Sequence, residues 1–178
     1  MNIGPPFAVL PRDQLDPTVQ KQQKVMGMPD GILQDLHQDH EQVSELIEQL
    51  LKIESSAERA PLFKEVMNML LAHSHAEQNV LYKKMEKAED EKARSFAFSG
   101  TNEHQIVEQQ LQQMARARNK ASEQWTAQLT VLRELVNHHV REEESTGFTC
   151  ARREFDKEQL EKFGEQFRRQ KEKLIAEA

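Results

Sequence analysis

What most constrains this chain is the near absence of helix breakers beyond residue 29. All but one of its six prolines fall within the first 29 residues, and its six glycines are isolated. What remains is long stretches rich in Glu, Gln, Lys, Leu and Ala, residues that lose little side-chain freedom in a helix. Apolar residues recur through these stretches at three- and four-residue spacing, and no alternating strand pattern competes. The spacing predicts an irregular N-terminal arm over residues 1–29 and, over 30–178, an all-α domain. Four long helices with short connections make an up-down-up-down four-helix bundle, followed by an additional C-terminal helix.

Local signals place the helix ends. The first helix is expected from a cap at Asp30 to about residue 53. The second begins at Ser55 or Ser56, with Pro61 tolerated in the first turn, and runs to about residue 88. A third covers about 90–118, with a bend expected at "SGTN" around Gly100. The fourth starts near Ser122 and is expected to stop before Gly147. A last helix opens at "DKEQ", where Asp156 and Gln159 form a capping-box-like start.

At about 100° per residue, helix phase decides which histidines face inward. Ile32, Leu36, Val43, Ile47 and Leu50 define the first stripe, and His40 lies within it. Leu62, Val66, Met69 and Val80 define the second, which contains His73 and Glu77. Phe96, Val107, Leu111 and Met114 flank His104 in the third. Trp125, Leu129, Leu132 and Val136 lead to His139 and Glu143 in the fourth. His37, His75 and His138 fall at the bundle edge or on the opposite face. One inward histidine is ordinarily just a hydrogen-bonded core residue. Four imidazoles and two carboxylates in one core are costly unless something neutralises them, and no lysine or arginine shares these stripes near the glutamates.

A metal centre satisfies all six groups. His-x-x-x-Glu puts both donors on one helical face, and neutral imidazole with carboxylate suits iron, manganese or zinc. Four histidines and two carboxylates fit two ions, each taking two histidines with both carboxylates bridging. Other classes are disfavoured. The net charge is 24 − 30 = −6 with basic residues scattered, which leaves no nucleic-acid or anionic-membrane footprint. No apolar run approaches a membrane span, and the N-terminus lacks the order of a signal peptide. The lone Cys150 fits a reducing, cytoplasmic setting and is expected to be inert.

The ordered set His40, His73-x-x-x-Glu77, His104, His139-x-x-x-Glu143 resembles the hemerythrin-like HHE cation-binding family. "LHQDHEQVSELIEQLL", "LLAHSHAEQNVLY", "TNEHQIVEQQL" and "LRELVNHHVREEESTGF" resemble its four helices, and "ARREFDKEQLEKFG" resembles the trailing helix of a bacterial subgroup. The resemblance spans about residues 30–175. It implies a non-haem di-iron centre with His40, His73, Glu77, His104, His139 and Glu143 as metal ligands, and two Fe ions as cofactor, with Mn or Zn as substitutes. Many members carry proline where Lys83 and Thr149 stand here, and glycine (Gly147) occupies the position matching Leu81. Oxygen-carrying hemerythrins have a further histidine one turn along the third helix. Glu108 occupies that position and is an additional candidate ligand.

These readings lead to a protein that binds O2, peroxide or NO for sensing, storage or stress response, with a small diatomic molecule as its partner. A di-iron oxidase is the alternative; ferritin-like sites use Glu-x-x-His, which this chain lacks. A metal-free interaction bundle is the third reading.

Overall fold

A computed structural model describes residues 31–177. The expected N-terminal arm and the cap at Asp30 lie outside the described residues. Within them the chain is helical: α1 (Ile32–Lys52), α2 (Ser56–Glu77), α3 (Glu91–Ala115), α4 (Glu123–Glu142) and α5 (Lys157–Ala176). Helices α1 to α4 form the bundle, each packed against its two neighbours, and α5 lies along α1 and α2.

Capping chemistry explains most boundaries. The Asp90 side chain accepts from the Lys92 amide, the Ser122 hydroxyl from the Trp125 amide, and Asp156 and Gln159 form a complete capping box. Ser55 is the cap residue of α2 but makes no side-chain bond; Ser56 instead accepts from the Lys120 amide across the bundle end. Buried Arg59 ties the same end together, donating to the carbonyls of Ile53 and Lys120 and to Thr126 Oγ1.

Two boundary expectations change. Helix α4 does not end before Gly147. It passes through a π-helical turn, Glu143–Gly147, and continues over Phe148–Glu154. Helix α2 also contains a π turn, at Gln78–Tyr82, and runs on to Met85, close to its expected end near residue 88. One π turn begins immediately after inward Glu77 and the other begins at inward Glu143, a location typical of functional sites. Helix α3 also runs through Gly100 without a break. That glycine sits in mid-helix because a Cβ there would lie 2.6 Å from the Tyr82 ring and 2.8 Å from its hydroxyl oxygen.

The buried residues form two apolar clusters. One, at the loop end of the bundle, includes Val43, Phe63, Val66, Leu70, Leu111, Trp125 and Leu132. The other, including Ile32, Leu36, Val80, Tyr82, Phe148 and Phe167, brings in α5. On α2 the buried stripe is Phe63, Val66 and Leu70, with Leu62 and Met69 only partly buried, a small rotation from the expected phase. Between the two clusters lies a buried polar layer: Asp39, His40, His73, Glu77, His104, His139 and Glu143. Among the described residues no helix is long and apolar enough to cross a membrane.

Candidate metal centre

All six inward residues predicted from helix phase are buried and converge in this layer. They form two triads, His40–His73–Glu143 and Glu77–His104–His139, each with its ligand atoms within 4.8 Å of one another. Each triad is two imidazoles and one carboxylate, a donor set suited to non-haem iron and related divalent metals. The glutamates also link the triads. Glu77 Oε2 lies 3.6 Å from both His73 Nε2 and His104 Nε2, and Glu143 Oε2 lies 3.1 Å from His40 Nε2 and 3.6 Å from His139 Nε2.

The chemistry of these atoms fits cations. His40 Nε2, His73 Nε2, both Glu77 oxygens and Glu143 Oε2 are buried without a hydrogen-bond partner. Orphaned buried polar atoms are rare in native interiors because each carries a desolvation cost of about 1–3 kcal/mol. Five of them pointing into one layer make a set of lone pairs waiting for positive charge.

Protons take that role in the metal-free protein. Burial, and next the facing Glu143 carboxylate, push the Glu77 pKa well above its ordinary value. Burial also works against an ionised Glu143, but the Glu77 carboxyl and His40 imidazole lying against it outweigh burial and hold its pKa well below normal. Burial opposes the His40 imidazolium too, yet the nearby Glu143 carboxylate and the Glu144 carboxylate bonded to Nδ1 raise it to about 9. His104 is held neutral by burial and by the neighbouring His139. Its Nε2 is 3.0 Å from His139 Nε2, so the two rings face one another across the second triad.

Phase analysis did not reveal the residues that orient the imidazoles. His73 Nδ1 bonds Asp39 at 3.0 Å, His139 Nδ1 bonds Glu103 at 2.7 Å, His40 Nδ1 bonds Glu144 at 3.0 Å, and His104 Nδ1 bonds the Gln78 amide at 3.0 Å. Each supporter is the sequence neighbour of an inward residue and serves the next helix: Asp39 precedes His40, Glu103 precedes His104, Gln78 follows Glu77, and Glu144 follows Glu143. One step along a helix rotates a side chain by about 100°, from the bundle axis toward the adjacent helix. A polar residue beside each inward donor was therefore the signal available in the sequence. The three carboxylate partners, Asp39, Glu103 and Glu144, accept from Nδ1–H and so fix the ring and its tautomer, leaving Nε2 for the centre.

Tyr82 closes one side. Its ring stacks on His104 at 7° and 5.5 Å between centroids, and its hydroxyl donates to Glu143 Oε1 at 3.4 Å. Glu108 does not reach the centre. One turn beyond His104 it has rotated outward and bonds His75 Nε2 at 3.3 Å, a partly exposed pair between α2 and α3. His37, His75 and His138 stand at the periphery, as helix phase implied. Cys150 is buried, and burial pushes its thiol up, the setting of an inert core residue.

Fold and site together define a helical-bundle protein with a buried carboxylate–histidine layer whose two triads could hold metal ions. The chain belongs to the hemerythrin family: the Hemerythrin HHE cation binding domain matches residues 31–151. Among curated proteins it is similar to a protein of Nostoc sp. (strain PCC 7120 / SAG 25.82 / UTEX 2576) described as a DNA nickase. The two are 28% identical over 143 residues, covering 78% of this chain but only 38% of that relative's length. No solved structure matches significantly.

Proposed function

We propose that this chain is a non-haem di-iron protein that binds a small ligand, O2, peroxide or NO, for sensing, storage or stress response. The observation that carries the reading is the pairing of two His–His–Glu triads, bridged by their glutamates, with five buried atoms that lack protein partners. His40, His73 and Glu143 would hold one ion, and Glu77, His104 and His139 the other. When bound, the ions supply open coordination positions and redox electrons. The protein supplies fixed imidazoles and a dry wall.

The room beside the triads favours a very small ligand. A cavity of about 20 Å³ is bounded by the four inward histidines and by Val43, Leu70, Val107, Val136 and Val140. About 10–15 Å³ measured this way holds one water, so the space suits a diatomic molecule and not an organic substrate. A DNA-cleaving role like that named for the Nostoc relative is not our reading. The net charge of −6 supplies no basic footprint.

The test is anaerobic iron reconstitution, metal counting, and absorption spectroscopy on adding oxygen. Two irons per chain and a new oxygen-dependent band are expected. Two irons with rapid peroxide consumption would favour the oxidase alternative. No retained metal, with stability unaltered by iron, would leave a metal-free bundle.

A further inference from the structure

Helix α5 lies beyond the matched family domain, yet it reaches the outer shell of one triad. It docks on α1 by close backbone approach. Gly31, at φ 57°, leaves no space for a Cβ, which would lie 2.3 Å from the Leu160 carbonyl oxygen; a Cβ on Gly164 would meet the Ile32 amide nitrogen at 2.9 Å. From that crossing α5 runs down the side of the bundle and forms two ion pairs with α1. Arg168 Nη1 meets Asp35 Oδ2 at 2.5 Å, and Lys171 Nζ binds Asp39 Oδ1.

The two pairs differ in what lies behind them. Asp35 bonds no inward histidine. Asp39 uses its second oxygen, Oδ2, to bind His73 Nδ1 at 3.0 Å, so Lys171, Asp39 and His73 form one continuous chain from α5 to the first triad. Phe167, one turn before Lys171 on α5, sets its ring edge-on to the His73 ring at 5.7 Å. The second triad has no such cover. The equivalent carboxylate, Glu103, is about one-third exposed, and beyond its bond to His139 it has only the exposed His138 ring beside it, at 3.9 Å, where Asp39 has Lys171. Of the two carboxylates that hold His73 and His139, Asp39 and Glu103, only Asp39 is capped by a lysine from α5.

We propose that Lys171 is a positioning residue for the metal centre. By holding Asp39 at a fixed angle it sets the His73 ring, and so tunes the His40–His73–Glu143 position and not the Glu77–His104–His139 position. This inference rests on the di-iron reading above. Removing an outer partner of a metal-binding histidine typically weakens metal affinity 10–100-fold.

The experiment is an anaerobic ferrous iron titration of the full chain against a competing chelator, on wild type, Lys171→Met, Lys171→Arg and Arg168→Met, with thermal melts of each metal-free protein. Wild type should bind two irons. Lys171 acts through Asp39, one step further out, so Lys171→Met should weaken one of them by up to about 10-fold, the lower end of that range, and leave the other unchanged, and Lys171→Arg should restore it. Arg168→Met removes a comparable α5–α1 ion pair that leads to no inward histidine. Its pair is the more exposed of the two, so it should lower the melting temperature less than Lys171→Met does, while both irons bind as in wild type. Equal loss of iron in Arg168→Met and Lys171→Met would reduce Lys171 to general docking and overturn the proposal. Two irons bound by Lys171→Met as tightly as by wild type would overturn it as well. A wild-type chain that binds no iron would defeat the di-iron reading itself, a result separable from either of these.

Discussion

His73 and Glu77 stand one turn apart on α2 yet belong to different triads, His73 with His40 and Glu143, Glu77 with His104 and His139. His139 and Glu143 on α4 divide in the same way. The two His-x-x-x-Glu motifs therefore act as struts that tie the triads together, and neither triad is built from one motif.

This division separates two adjacent histidines experimentally. His73→Ala should cost at least one of the two metal equivalents, because it removes a donor from a three-residue set. His75→Ala removes a side chain on the outer face, where substitutions change stability by no more than about 0.5 kcal/mol. Metal counting after reconstitution should show wild-type content for His75→Ala. Equal losses in the two variants would contradict the assignment.

Glu108→Ala provides a second check. The side chain is paired with His75 and Gln112 outside the centre, and a partly exposed pair of this kind contributes about 0–1 kcal/mol. Iron content and the absorption spectrum should match wild type, with only a small change in melting temperature. A shifted spectrum would place Glu108 among the ligands.

Gly100→Ala sets two effects in opposition. In an exposed helix the change gains about 1 kcal/mol from propensity. Here the new methyl would press on the Tyr82 ring, which is trapped between α3 and His104, and overpacking typically costs about 1–3 kcal/mol. Overpacking should win, so denaturant unfolding should show a net loss of stability. A gain would mean that Tyr82 can move aside.

The pH dependence of the metal-free protein follows from His40. Its pKa rises from 6.5 to about 9 on folding, so its contribution is fully present below pH 6.5 and is lost as pH climbs through 9. At 1.36 kcal/mol per pKa unit this is on the order of 3 kcal/mol. Glu77, also raised, acts in the same direction. Chemical denaturation of metal-stripped protein should therefore show stability falling between pH 6.5 and 9. Iron loading should flatten that slope, because bound cations displace both protons. A flat profile without metal would argue against the proton-filled interior.

Helix phase was enough to choose His40, His73, Glu77, His104, His139 and Glu143 over His37, His75 and His138. It depends only on a 3.6-residue period and on apolar residues marking the inward side. The bundle, the trailing helix and the cap at Asp156 were legible for the same local reasons. Tertiary structure decided what depends on other helices. It set which glutamate joins which histidines, the outward turn of Glu108, and the bond from each supporting Asp, Glu or Gln to an imidazole on a neighbouring helix. Gly100 reads as a helix interruption until the Tyr82 ring is seen to occupy the space a Cβ would need. Gly147 reads as a helix end until the π turn carries α4 through it. Lys171 lies 132 residues from Asp39. No local rule joins them, because their contact exists only once α5 has folded back along α1.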